Sequence, residues 1–179
     1  LDLAVAGLAL EASVGTLVHR CLELIANDDL QAWTSQRIRG LAPAYRRWLA
    51  QAGHAPGDAA HGADVAVAAL CRTLGSPTGR WLLAQTDAAA AEQAWTSQTA
   101  EDGETVAVNH VIDRTFIADE CRWIIDYKTV TAPADSDIDS YLTAKTAEYR
   151  PQLMRYAGLF GHEGRPLRLA IYYVLQDVL

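Results

Sequence analysis

The feature that most constrains this chain is the run at residues 111–128, Val-Ile-Asp-Arg-Thr-Phe-Ile-Ala-Asp-Glu-Cys-Arg-Trp-Ile-Ile-Asp-Tyr-Lys. Residues 105–117 and 122–130 are rich in Val, Ile, Thr, Trp, Tyr and Phe, which suit a pleated surface and predict two strands of a hairpin. If the chain turns on Asp119-Glu120, opposed residues sum to 239. Asp113 then faces Asp126 across the ladder, with Cβ atoms about 4.5–5.5 Å apart. A side-chain period of two puts Lys128 on the face of Asp126. Arg114 and Arg122 are expected on the other face from Asp113. Two carboxylates so placed repel one another, and a divalent cation between them removes the objection; hard oxygen ligands suit Mg2+ or Mn2+. The spacing leaves a second reading open, in which Asp113 pairs with Arg114 or Arg122 and Asp126 with Lys128 as solvated charges on an edge hairpin. A three-residue turn would shift the register by one.

Composition narrows what such a hairpin can serve. The chain has 179 residues, half of them hydrophobic and 21% charged, the balance of one globular domain with a real core. Its net charge of −7 excludes a basic nucleic-acid coat, so a nucleic acid would have to be met by a local patch, bound metal or a delivering partner. Cys21, Cys71 and Cys121 form no C-x-x-C pair, against a disulfide framework, a zinc site and an iron–sulfur cluster alike. No apolar run approaches the roughly 20 residues that span a bilayer, and Asp2 leaves no basic leader, so a cytoplasmic chain with no membrane partner is expected. A start at Leu1 without Met fits a domain excised from a larger parent.

Around the hairpin the pattern alternates. Residues 11–26 predict an amphipathic helix capped by Ser13, with Leu17, Val18, Cys21, Leu22 and Ile25 on one face and Gly15 and His19 beside it. Residues 28–52 predict a second helix, with Gly40 and Pro43 able to divide it, and 58–74 a third; 75–79 read as a turn. Trp33, Trp48 and Trp81 read as core anchors. A strand near 91–98 precedes the hairpin; a polar loop at 131–140, a helix to about residue 160 and a strand at 167–175 follow it. The expectation is a single α/β domain over 1–179 with a mixed central sheet and residues 28–85 as a helical insertion.

The pattern Ile112-Asp113-Arg114, followed by Ile124-Ile125-Asp126-Tyr127-Lys128-Thr129, resembles the RecB-type nuclease domain of the PD-(D/E)xK (restriction-endonuclease-like) superfamily. Three further pieces agree in chain order. Gly15-Thr-Leu-Val-His19 resembles an early G-x-x-x-H motif, Glu92 stands where a further acid precedes the hairpin, and Gln152-Leu-Met-Arg-Tyr156 resembles Q-x-x-x-Y. With Gly79-Arg80-Trp81-Leu82-Leu83 the likeness covers about residues 13–175 and is nearest to nuclease domains at the C-terminus of UvrD-like helicases. The chain departs from the pattern at His110, where Gly is frequent, and at Ile112, the nominal Pro; Glu101 and Glu104 are neighbouring acids that compete with Glu92.

The resemblance implies a Mg2+- or Mn2+-dependent deoxyribonuclease, an exonuclease-like module of a helicase–nuclease in DNA recombination and repair, with DNA and a UvrD-like motor as partners. It implies that Asp113, Asp126, His19 and the backbone carbonyl of Tyr127 hold the metal, that Glu92 and Lys128 are catalytic, and that no iron–sulfur cluster is bound. Gln152 and Tyr156, four apart on a helix, would reach a phosphate or hold the metal ligands; Pro151 is expected in the first helical turn, placing Gln152 near a helix N-terminus. The plainer alternative makes Tyr156 core and Gln152 surface. Arg150, Arg155 and Lys145 are candidates for a strand-binding patch, or a solvated basic face. A catalytically silent nuclease-like module that only binds DNA or protein is the alternative function; a hydrolase of other substrates finds no Ser-His-Asp order, G-x-S-x-G elbow or Walker loop to support it.

Overall fold

The computed structural model describes residues 3–86, 88–101 and 104–179. In order these form α1 (Leu3–Ala26), a 3-10 turn (Leu30–Ala32), α2 (Ser35–Gly40), α3 (Ala42–Gln51), α4 (Pro56–Gly75), α5 (Pro77–Leu83), β1 (Ala90–Glu101), β2 (Glu104–Ala118), β3 (Cys121–Lys128), α6 (Ile138–Phe160), a 3-10 turn (Gly161–Glu163) and β4 (Leu167–Tyr173). The strands make one sheet in the order β1-β2-β3-β4. The first three are antiparallel neighbours. Arg122 N–H donates to Pro166 O and Val174 N–H to Lys128 O, so β4 runs parallel to β3 and the sheet is mixed, as expected.

The chain forms two compact units. The first gathers the segment ending at Ala84 with Tyr127–Thr131 and Tyr172–Leu179. Its core is the stripe Val18, Leu22 and Ile25 of α1 with Ile38, Leu49, Leu70, Leu82, Tyr172 and Val174, all fully buried. Small residues on α4, among them Gly62, Ala63 and Ala66, let α1 and α3 come close: a Cβ on Gly62 would lie 2.9 Å from Val14 and 3.0 Å from Leu49. The second unit comprises Gln85–Asp126 and Ala132–Ile171. Here Ile112, Phe116, Ile124 and Ile125 are buried on the strands, while Leu142, Leu153 and Phe160 are buried on α6. Trp95 and Phe160 meet edge to face at 4.7 Å between centroids.

Three local expectations change. The apolar pattern continues ahead of residue 11, so α1 starts by Leu3 and Ser13 lies inside it, its hydroxyl 2.8 Å from a His54 ring nitrogen. The expected turn at 75–79 is a helix start: the Ser76 hydroxyl accepts from Gly79 N–H and Pro77 occupies the first turn of α5. Helix α6 begins at the Asp137 cap and carries Pro151 in its interior. Gln152 is therefore mid-helix and has no place at a helix N-terminus. The cap that binds Ser140 N–H outweighed the proline, whose cost is one missing backbone donor inside a 23-residue helix.

Candidate active site

The hairpin is built from its turn. Asp119 and Glu120 have φ of +49° and +61°, both left-handed, as in the two-residue turns that match strand twist. From there the ladder pairs Ala118 with Cys121, Ile117 with Arg122, Phe116 with Trp123, Thr115 with Ile124 and Arg114 with Ile125, each summing to the predicted 239. Continued by one step, that register sets Asp113 against Asp126. Both are buried, 8% and 3% exposed. On the other side of β2, Ala91 pairs with Arg114 and Gln93 with Ile112, so Glu92 comes opposite Asp113. A carboxylate oxygen of Glu92 and one of Asp113 lie within 4.8 Å of each other. The backbone at Glu92 is left-handed, φ +48°, a strained state for a residue with a Cβ. The side chains of Glu101 and Glu104, its competitors in the sequence, lie outside the described residues.

Helix α6 closes over this acidic row. The Gln152 side-chain amide donates to Asp126 Oδ1 at 3.2 Å and to the Tyr156 hydroxyl at 2.6 Å. Tyr156 is buried, and its ring meets His110 edge to face at 6.0 Å. The Q-x-x-x-Y spacing thus puts the Gln152 amide between the Asp126 carboxylate and the Tyr156 hydroxyl. Arg150 and Arg155 are exposed on the same helix, and Lys145 pairs with Glu148 at 2.7 Å. Arg122 departs from expectation. Its guanidinium reaches the Thr115 hydroxyl at 3.5 Å and sits 5.0 Å over Phe160 of α6, so it shares the face of Asp126. It makes two hydrogen bonds to Glu163, at 2.6 and 3.1 Å, instead of pairing with Asp113.

In the first unit, Gly15 explains the early motif. A Cβ there would lie 2.8 Å from Thr129 Oγ1, so glycine lets α1 approach the segment that follows Lys128. One turn on, the His19 ring meets Tyr127 edge to face at 5.9 Å, next in sequence to Asp126. Lys128 is half-buried at the end of β3, where its carbonyl is bound by Val174 N–H. Thr129 was not singled out by sequence reasoning; the signal available was Gly15, whose missing side chain demands a close neighbour.

Glu92 and Asp113 are hard oxygen donors whose carboxylates lie within 4.8 Å of each other, and Asp126 is a further buried carboxylate on β3; such donors suit a divalent cation. The family model of the PD-(D/E)XK nuclease superfamily matches residues 4–177. The chain belongs to the PD-(D/E)XK nuclease superfamily. Membership implies a phosphodiester-hydrolysing nuclease that uses divalent metal, and the mixed α/β sheet has the corresponding fold. None of the curated proteins compared with the chain matches it. Among the described residues of this PD-(D/E)XK nuclease, no helix is long and apolar enough to cross a membrane.

Proposed function

We propose that this domain is a Mg2+- or Mn2+-dependent deoxyribonuclease, the exonuclease module of a helicase–nuclease of DNA recombination and repair, to which a UvrD-like motor delivers DNA. The observation that carries the reading is the row of Glu92, Asp113 and Asp126 across three adjacent strands, with Lys128 two residues on. Asp113, Asp126 and Glu92 would hold the cation, with His19 adding a nitrogen. Because Lys128 O is turned to β4, alternation turns the Tyr127 carbonyl to the opposite edge of β3, in keeping with a ligand role. A bound divalent cation would supply Lewis acidity to the scissile phosphate and a water of lowered pKa. Lys128 would place an ammonium against the charge that builds on the phosphate oxygens. Gln152, braced by Tyr156, fixes the rotamer of Asp126. Arg150 and Arg155 would touch the strand's phosphates.

The test is digestion of end-labelled single- and double-stranded linear DNA with Mg2+, Mn2+ or EDTA. Cleavage should need metal, release products from an end, and fall by about 100-fold or more in Lys128→Ala and Asp126→Ala. Mn2+ titration should show binding that Asp126→Ala removes. Intact DNA together with no Asp126-dependent metal binding would leave only a silent binding module.

A further inference from the structure

The chain's charge is unevenly distributed. Residues 30–57 contain Arg37, Arg39, Arg46 and Arg47 and no Asp or Glu, which leaves eleven basic against 22 acidic residues, net −11, in the remainder. All four arginines are exposed, on α2 and α3, two short helices joined through Leu41 alone. Between them Ile38, Tyr45 and Leu49 turn inward and are buried, which keeps the charged side chains on the outside. Two are tethered: Arg37 lies 3.8 Å over the Trp33 ring and 3.8 Å from Asp28, and Arg46 is 3.4 Å from Asp64. Arg39 and Arg47 form no ion pair with any described residue. Clustered arginines repel one another, and a polyanion that neutralises them is attracted to such a local patch.

We infer that α2 and α3 form a DNA-backbone contact surface in which Arg39 and Arg47 bind phosphates. The two arginines are eight residues apart across the Leu41 link, at most about 28 Å even for a fully extended chain and so within about eight nucleotides at 3.4 Å each, which lets both guanidinium groups reach one stretch of strand. Contact is to phosphate and independent of sequence. Trp33 and Tyr45 offer no stacking platform here: Trp33 is buried with its ring nitrogen bound to Asp28 Oδ2 at 3.0 Å, and Tyr45 is buried. This surface lies apart in sequence from Arg150 and Arg155, and the inference rests on the nuclease reading only for the identity of the polyanion.

The experiment is fluorescence anisotropy of labelled DNA oligonucleotides in EDTA over a NaCl series, with wild type, R39E/R47E and R39K/R47K. The double reversal should weaken binding at least tenfold at low salt and flatten the log–log salt slope by about 1.4–1.8, two phosphate contacts' worth. The lysine pair should keep most of the affinity, because point charges suffice for phosphate. Circular dichroism checks that the reversal folds. Unchanged affinity and slope in R39E/R47E, or no DNA binding by the wild type, would overturn the inference. DNA binding that depends on the arginines in a protein that cuts nothing would sink the hydrolytic reading and leave this one standing. Cleavage with no dependence on the arginines would do the reverse.

Discussion

Glu92 combines a left-handed backbone with the carboxylate proposed to bind the cation. A side chain at φ +48° costs about 1–2 kcal/mol relative to glycine, and the position persists because its neighbours Ala91 and Gln93 are locked in the β2 ladder. Comparison of Glu92→Gly with Glu92→Ala separates the two roles. The glycine variant should be the more stable by about 1 kcal/mol in urea unfolding, since only the alanine keeps a Cβ in the left-handed region. Both should lose Mn2+ affinity in a calorimetric titration. Equal stabilities would mean that the backbone there is not strained, and unchanged affinity that the carboxylate is no ligand. At this scale the sequence offers residue types, the acids and a lysine that the proposed metal-dependent chemistry needs. What was not legible was the partner of each side chain: the hydrogen bond from Gln152 to Asp126, and the pairing of Arg122 with Glu163, both depend on where α6 lies on the strands.

At the scale of elements, the hairpin sets the acidic pair by counting from a turn. Asp113 and Asp126 are each the sixth residue from their side of the Asp119-Glu120 turn, and the arms between contain no glycine or proline at which the ladder could slip. One residue inserted in β2 beside the turn should therefore abolish cleavage while the protein still folds, and a second insertion in β3, restoring the opposition, should recover it. Recovery by neither would show that register is not what aligns the acids. The hairpin was readable because strand pairing with a two-residue turn is local. The start of α6 and its passage through Pro151 were not, because a long helix held by packing overrides one unfavourable residue. The same helix ends at a pH-sensitive tie. Hydrogen bonding from Arg122 holds the Glu163 carboxyl below its ordinary range. The folded value lies below the unfolded one, so the stabilisation is present above the ordinary carboxyl range and disappears as pH falls through the lowered folded value. Glu163→Gln should cost about 1.5–3 kcal/mol near neutrality, and its melting temperature should converge on that of wild type in acid. A gap that persisted in acid would mean that charge is not the cause.

For the molecule as a whole, periodicity and composition announced a mixed α/β protein, and the sheet order followed from one hairpin, one preceding strand and one parallel crossover. The division into two units was hidden, because each is assembled from segments far apart in sequence. The chain passes between them four times, after Ala84, Asp126, Thr131 and Ile171. Near the end, the Tyr172 hydroxyl donates to Asp177 at 2.6 Å, Ser76 donates to the same carboxylate at 2.7 Å, and Arg72 bonds to the Leu175 carbonyl. The first unit thus takes fully buried side chains, those of Tyr172 and Val174, from the last eight residues. For anyone dissecting the protein, there is no cut in the gene that releases either unit intact. A fragment ending at Ala84 should lack a cooperative thermal transition, whereas the full chain shows one. Limited proteolysis should not yield a stable N-terminal piece, and its appearance would mean that the borrowed strand ends are dispensable. The boundaries of this protein are spatial, and they have no counterpart along the reading frame.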